Sequence, residues 1–269
     1  MPSEAALRRH WPEYGIEAFL LGAFMVSALG FTVLLEHPAS PLRAALPEAM
    51  LRRVLMGCAM GATAITLVYS PWGQRSGAHF NPAFTLAFFR LGKIEPADAL
   101  GYVAAQFAGG LLGVLAIAAV LGSLVAAPSV NYAATLPGMS GVAPAFGAEV
   151  AISFATMLTV LAVSNHARLA RFTPLFVGTL VATWITFEAP LSGMSMNPAR
   201  SLGSAAGAGL FSSLWIYFTA PPLGMLLAAE VFVRVRGRSA VHCAKLHHQN
   251  SQRCIFRCGY HELAAAQEA

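Results

Sequence analysis

The chain has 269 residues, of which 57% are hydrophobic and only 11% are charged, and its formal net charge is +5. A soluble domain carries about 25% charged residues, which keep its surface hydrated, so this composition excludes a water-soluble globular protein. The mean hydropathy of +0.61 favours a chain that exposes most of its surface to lipid.

Six long apolar stretches predict six transmembrane helices, because a bilayer core about 30 Å thick requires about 20 apolar residues per helix. They cover residues 16–35, 51–70, 99–123, 144–164, 173–189 and 212–233. Two further apolar stretches, 80–89 and 196–210, are too short or too rich in glycine to span. The predicted organisation is an N-terminal segment 1–15, a membrane domain 16–233 with repeats at about 16–123 and 144–233, and a basic tail 234–269.

The distribution of basic residues predicts the orientation in the membrane. The start of the chain lacks a signal-peptide core and a small-residue cleavage site, so we expect the first span to be an uncleaved anchor with a cytoplasmic N-terminus. The loops that then lie outside carry only Arg43, Arg52 and Arg53, whereas the inner segments hold the other arginines and lysines assigned to loops and tails. This positive-inside pattern predicts an inner or plasma membrane protein with both termini in the cytoplasm. It also explains the positive net charge without nucleic-acid binding.

The chain contains an inverted repeat. The first half has Glu17 in a span, then a second span, the motif SGAHFNPA starting at Ser76, and a third span. The second half repeats this order with Glu149 and with SGMSMNPA starting at Ser192. Because each half has an odd number of spans, the two motifs enter the membrane from opposite faces. Interrupted segments at matching positions of inverted repeats indicate a transport site near the bilayer midplane.

Each Asn-Pro-Ala triplet predicts a helix that begins inside the membrane. Asparagine is a preferred N-cap, proline is favoured at the first helical position and alanine is the strongest helix former. Non-helical backbone before such a helix is tolerated only where it is buried in protein or lines a water-filled cavity, so the triplets predict a pore. They consist of Asn81, Pro82, Ala83, Asn197, Pro198 and Ala199.

These features resemble the aquaporin (major intrinsic protein) family over almost all of residues 16–233. The resemblance rests on SGAHFNPAFTLA at 76–87, SGMSMNPARS at 192–201, YVAAQFAGG at 102–110, WIYFTAPPLG at 215–224 and the two glutamates. It implies an all-α integral membrane fold with six transmembrane helices and two membrane half-helices. It further implies a homotetrameric passive channel, in contact with membrane lipid, that conducts water and small uncharged solutes and excludes ions and protons. Neither enzymatic activity nor a cofactor is expected.

The resemblance also implies roles for single residues. Asn81 and Asn197 would each direct an amide donor into the pore. Glu17 and Glu149 would accept backbone N–H groups of the pore loops, and Arg200 would lie at the outer constriction. His79 could line the cytoplasmic vestibule or serve as a structural loop histidine.

The solute is decided in this family at the outer constriction, which has four positions. Family spacing places them at Gly61, Ile185, Met194 and Arg200, although one residue of slip in the second span would substitute Met60 or Ala62. The aromatic and histidine of strict water channels are missing from this set, whereas Ser201 and the Tyr217–Phe218 pair are of the water-channel type. We therefore expect water conduction, with glycerol, urea or undissociated metalloid acids as alternative principal solutes.

Two other classes of protein share some of these features. A coupled secondary transporter would use Glu17 and Glu149 as a proton relay, and a membrane enzyme would need a nucleophile or metal constellation within the spans. The symmetric placement of the two carboxylates, with no paired intramembrane base, favours the channel.

The tail is dense in cysteine and histidine. Thiolates and imidazoles of Cys243, His247, Cys254 and Cys258 could bind Zn²⁺, although their spacing completes no zinc-finger pattern. The alternative is a basic, partly disordered tail that lies near anionic lipid.

Overall fold

The computed structural model describes residues 2–261, which form helices joined by loops. The α-helices in this range are α1 Pro2–Glu36, α2 Pro41–Ala45, α3 Ala49–Tyr69, α4 Pro71–Ser76, α5 Pro82–Arg90, α6 Pro96–Leu121, α7 Val142–Ser164, α8 Thr173–Phe187, α9 Ala189–Ser192, α10 Pro198–Ala208 and α11 Leu214–Arg236. Within it, α1, α3, α6, α7, α11 and the span Ala170–Phe187, which joins α8 to the turn before it, are long and apolar enough to cross a membrane. The predicted fold class is thus confirmed.

Helix α1 is longer than the span predicted at residues 16–35. It begins at Pro2 and contains Pro12 without a break. At about 1.5 Å per residue, its 35 residues exceed the thickness of the bilayer core. The predicted boundary between residues 15 and 16 therefore falls inside a continuous helix.

Glycines at the helix interfaces allow the long helices to approach one another closely. In the first repeat α1 packs on α6, and in the second repeat α7 packs in the same way on α11. A Cβ atom at Gly113 of α6 would lie 2.5 Å from the Gly22 carbonyl oxygen of α1, and one at Gly224 of α11 would lie 2.4 Å from the Val150 oxygen of α7. Small residues at such positions allow close helix packing in lipid, where no hydrophobic effect drives it.

The two half-helices α5 and α10 follow loops of matching conformation. The short helices α4 and α9 end at Gly77 and Gly193, whose φ values are 98° and 78°. Two further residues in each loop have positive φ, namely Ala78 and Phe80 in the first and Met194 and Met196 in the second. The repeat seen in the sequence therefore extends to single backbone conformations.

The tail folds back onto the membrane domain. Residues 241–259 are irregular, yet Val241, Ala244 and Leu246 are buried. The Leu246 N–H donates to the Gly77 oxygen (3.1 Å) and the Arg257 N–H to the Lys93 oxygen (3.0 Å). For the described part of the tail, these contacts contradict a disordered segment lying on lipid.

The glycine contacts lead to a prediction for helix packing. We expect Gly113→Ala to lower the stability of the protein by about 1–3 kcal/mol, because the added methyl group meets backbone that cannot move aside easily. Gly30→Ala is the matched control in α1, since a Cβ atom there has no neighbour within 4 Å. It should leave stability unchanged or raise it, because alanine is the better helix former. Thermal unfolding in detergent measures both; equal midpoints for the two variants would contradict the packing argument.

Candidate functional site

The two triplet asparagines cap their own helices and bind the opposite loop. Asn81 Oδ1 accepts from the Ala83 N–H (2.8 Å), and Asn197 Oδ1 accepts from the Ala199 and Arg200 N–H groups (3.0 and 3.2 Å). Across the centre of the molecule, Asn81 Nδ2 donates to the Met196 oxygen (2.7 Å) and Asn197 Nδ2 donates to the Phe80 oxygen (2.8 Å). One N–H of each amide is engaged in this way. Each NH₂ group has a second N–H donor, which can serve a solute in the cavity.

Glu17 lies fully buried beside the first loop. Its Oε1 accepts from Ser76 Oγ (2.7 Å) and the His79 N–H (3.1 Å). Its Oε2 accepts from the Phe80 N–H (2.6 Å) and Gln106 Nε2 (2.7 Å). The carboxylate thus holds two backbone N–H groups of a loop that forms no regular hydrogen-bond ladder.

Glu149 makes the equivalent contacts in the second repeat. Its Oε1 accepts from Ser192 Oγ (2.8 Å) and the Ser195 N–H (2.6 Å), and its Oε2 accepts from the Met196 N–H (2.8 Å). In the first repeat Glu17 has one further side-chain donor, Gln106 of α6. Gln106 was not predicted as a site residue from the sequence, although a polar residue within an apolar span was the available signal.

A cavity of about 320 Å³ lies between the helices and is lined by both loops. Glu36, Arg53 and Ser129 line one end, which we call the far mouth. His79 and Leu246 line the opposite end, which we call the tail-side mouth. Both triplet asparagines line the cavity, so the described residues enclose a path past the ends of the two half-helices.

Arg200 lines the cavity next to the second triplet. Its Nη1 donates to the Ala133 oxygen (2.8 Å). Ala133 has a positive φ of 51° and its helical segment Asn131–Ala133 belongs to the loop that leads into α7. The guanidinium group has further N–H donors, which can serve an oxygen of a passing solute.

The structure places three of the four predicted constriction residues on the cavity. Ile185, Met194 and Arg200 line it, and so does Met60. Gly61 instead faces α8, where a Cβ atom would lie 2.5 Å from the Gly178 oxygen. The helical phase of α3 therefore corrects our expectation: the glycine allows close packing on α8, and the neighbouring methionine reaches the cavity.

His79 lines the tail-side mouth and is bound by the tail. Its Nδ1 lies 3.1 Å from Thr85 Oγ1 and its Nε2 lies 2.8 Å from the Ala244 oxygen. Its ring stacks between Phe88 and Phe256, with centroids 5.2 and 5.5 Å away. His79 thus combines the two roles considered from the sequence, because it lines the mouth and anchors neighbouring structure.

Three tail cysteines and one histidine form a cluster beside this mouth. One ligand atom from each of Cys243, His248, Cys254 and Cys258 lies within 4.8 Å of every other. The histidine is His248, whereas His247 was the candidate predicted from the sequence. The His247 ring instead packs edge-on against Tyr69 at 5.0 Å, so adjacent side chains point to different partners.

Hydrogen bonding within the cluster shifts the thiol pKa values in opposite directions. The Cys243 and Cys254 sulfur atoms are 3.6 Å apart. Their hydrogen bond raises the pKa of the Cys243 thiol and lowers that of the Cys254 thiol. Outside the cluster, Arg257 of the tail donates a hydrogen bond to Glu95, the residue before α6, and this bond lowers the pKa of the Glu95 carboxyl group.

Comparison with known proteins connects this pore to one family. The model of a family described as major intrinsic protein matches residues 16–232. The chain is 36% identical to glycerol uptake facilitator protein-like 6 of Lactiplantibacillus plantarum, over 79% of this chain and 93% of that protein. It is 35% identical to aquaporin NIP6-1 of Arabidopsis thaliana, over 68% of this chain and 58% of that protein.

A solved structure shares the fold. The X-ray structure of the aquaglyceroporin from Plasmodium falciparum superimposes with a TM-score of 0.68 at 19% identity, covering 85% of this chain and 98% of that chain. This structural similarity supports the arrangement of six spans and two half-helices. At 19% identity it is evidence for the fold alone.

The contacts of Glu17 generate a prediction. In Glu17→Gln, an NH₂ group would replace one carboxylate oxygen and would face N–H and O–H groups that need an acceptor. We therefore expect a loss of about 1–3 kcal/mol of stability for each donor left buried without a partner. The control is Glu230→Gln, which breaks the partly exposed pair with Arg90 and should cost about 0–1 kcal/mol. Thermal unfolding compares the two. A Glu17→Gln variant as stable as the control, but with altered pH dependence of solute uptake, would favour a proton relay instead.

Proposed function

The chain belongs to the major intrinsic protein family and is a passive membrane channel for water and small solutes, and we propose that uncharged solutes of the size of glycerol pass its constriction together with water. The observation that carries this proposal is the cavity lined by both triplet asparagines, Arg200 and otherwise mostly apolar side chains. Passage of a solute through a pore lined in this way requires neither a chemical step nor an energy source.

Ion exclusion follows from the charges at the centre of the pore. The N-termini of α5 and α10 meet there, and each helix N-terminus carries about half a positive charge. Arg200 adds a full positive charge on the same path. A cation would lose its hydration shell and meet a positive potential. Asn81 and Asn197 would donate to a passing water oxygen and so interrupt a chain of hydrogen-bonded waters that could carry protons.

The constriction side chains support a solute range wider than water. Ile185, Met194 and Met60 present apolar and flexible surface, and methionine adapts to irregular space. They would contact the carbon atoms of glycerol while Arg200 donates to a hydroxyl group. The relative from Lactiplantibacillus plantarum is described as a glycerol uptake facilitator-like protein, which agrees with this assignment. Urea and undissociated metalloid acids have the same combination of small size and oxygen acceptors.

We propose that the protein lies in the inner or plasma membrane with both termini in the cytoplasm. The tail contacts α1, since Arg253 Nη2 donates to the Arg9 oxygen, which places both ends of the described chain on one side. The arginine and lysine asymmetry of the loops supports the assignment of that side to the cytoplasm. The tail-side mouth is then the inner mouth. Exposed apolar side chains such as Leu112 and Val120 would contact lipid or neighbouring subunits of a homotetramer, as the family resemblance implies.

An osmotic-shock assay tests the function directly. We expect proteoliposomes that hold the protein to change volume faster than empty vesicles in response to water, glycerol and urea gradients, with a low activation energy and no saturation. Proton and sodium ionophores should leave the rates unchanged. Saturable uptake that collapses with an ion gradient would instead indicate a coupled transporter.

A narrowed constriction should separate solutes by size. We expect Ile185→Phe to lower glycerol permeability at least about tenfold, equivalent to about 1.4 kcal/mol of barrier, and to lower water permeability less. Leu112→Phe, on the exposed surface of α6, adds a ring outside the pore and serves as the control. Equal loss of water and glycerol flux in the Ile185 variant would show that this residue does not set the solute size.

A further inference from the structure

The cysteine and histidine cluster has the chemistry and size of a zinc site. Three thiols and one imidazole form the Cys₃His ligand set of structural zinc sites, with Zn–S near about 2.3 Å and Zn–N near about 2.0–2.1 Å. A tetrahedron of those bond lengths has edges of about 3.5–3.8 Å. The Cys243–Cys254 sulfur distance is 3.6 Å, the Cys258 sulfur lies 3.0 Å from His248 Nε2, and all four atoms lie within 4.8 Å. Shifts of less than an ångström or so in side-chain position would complete the tetrahedron.

Soft ligands also select the class of metal. Thiolates favour zinc and other thiophilic metals, whereas Mg²⁺ and Ca²⁺ require oxygen ligands. A Zn²⁺ ion with three thiolates and a neutral imidazole carries one net negative charge. Lys245 lies beside the ligands in sequence with its side chain almost fully buried, and its ammonium group donates to the Gln252 and Arg253 oxygens. That buried positive charge would balance the site.

A cross-link would help this irregular segment to hold one conformation. Residues 241–259 contain neither helix nor strand, and fixing each residue costs about 1–2 kcal/mol of conformational entropy. Small structures without a sufficient core of their own are commonly held by disulfides or metals. The ligands come from both ends of the segment, so a metal ion would close it into one compact unit.

The same segment reaches the pore. Leu246 lies between the ligands Cys243 and His248 in the sequence, and it lines the cavity at the tail-side mouth. The Ala244 oxygen accepts from His79, the Leu246 N–H donates to Gly77 and the Phe256 ring stacks on His79. Each of these contacts falls on the loop that leads directly to Asn81.

We propose that Cys243, His248, Cys254 and Cys258 bind one Zn²⁺ ion, which fastens the tail in the tail-side mouth with Leu246 in the permeation path. The zinc-bound channel then has a low flux. Removal of zinc releases the segment 241–259, withdraws Leu246 and raises the flux. This inference goes beyond the channel function, because it assigns a metal ligand set and a means of control to the tail.

Metal content tests the site on the full-length protein, purified without a polyhistidine tag and in a non-thiol reductant. We expect about one zinc per chain by elemental analysis after equilibration with Zn²⁺. The double variant Cys254→Ser/Cys258→Ser should lose it. The matched controls are Cys58→Ser, which changes an exposed cysteine of α3, and His247→Asn, which changes the neighbouring histidine; both should retain the metal.

A measurement on the unmutated protein covers the case in which the double variant does not fold. Co²⁺ added to the metal-free protein should produce thiolate charge-transfer bands and the visible absorption of a tetrahedral site, and Zn²⁺ should displace it. Absence of these bands, or zinc content in the double variant equal to that of the unmutated protein, would overturn the metal site.

Permeability tests the link to the pore. Proteoliposomes made from zinc-loaded and chelator-treated protein should differ several-fold in water flux, with the metal-free form faster. Leu246→Gly should be fast in both states while retaining its zinc. Equal flux of the loaded and metal-free protein would overturn the closure of the mouth. If all forms, including Leu246→Gly, resembled empty vesicles, both the closure and the channel function would fail, whereas the zinc site would still be decided by metal content.

Discussion

The structure depends on one constraint: backbone polar groups inside a bilayer must find partners within the protein. The two loops that enter the membrane break the helical hydrogen-bond pattern where the pore requires it. Glu17 and Glu149 supply carboxylate acceptors for the freed N–H groups, and the two triplet asparagines supply donors for the carbonyl groups of Phe80 and Met196. The cost of burying each carboxylate is offset by the donors around it. A loop held in this manner can expose a few polar atoms to the cavity without losing its shape.

The sequence was sufficient to predict the features that local rules control. Hydropathy gave the six spans, and capping preferences gave the half-helices that begin after Asn81 and Asn197, because both depend on short stretches of chain. The rotation of α3 about its axis was beyond these rules. It is determined by tertiary contacts, since Gly57 and Gly61 both lie against the backbone of α8, and this contact turns Met60 towards the cavity. Tertiary contacts also determine which of His247 and His248 joins the cysteine cluster. The side chains of these adjacent residues point in different directions: His247 packs against Tyr69, and His248 lies beside the cysteines.

The tail shows a different limit of sequence analysis. Its density of cysteine and histidine was visible from composition, but its destination depends on how an aperiodic segment fits a surface. No hydrophobic period marks Val241, Ala244 and Leu246 as buried residues, because they lie in a chain without regular structure. Their burial follows from hydrogen bonds to Gly77 and His79 and from the approach of Phe256, whose Cε2 would lie 2.7 Å from a Cβ atom at Gly77. A larger residue than glycine at that position would displace the Phe256 ring.

A difference between the two repeats explains why the tail binds at one mouth. His79 and Ser195 are equivalent positions, two residues before each triplet asparagine. Ser195 Oγ is engaged within its own repeat: it donates to the Asn197 oxygen (3.0 Å) and lies 2.6 Å from Ser201 Oγ of α10. His79 has the same position but a longer side chain, which extends out of the loop to the Ala244 oxygen. Ala78 and Met194 are also equivalent, and the methionine lines the cavity near Arg200. Substitutions at two positions of a symmetric loop thus divide the roles of the halves: one repeat provides the selective constriction, and the other provides the surface that receives the tail.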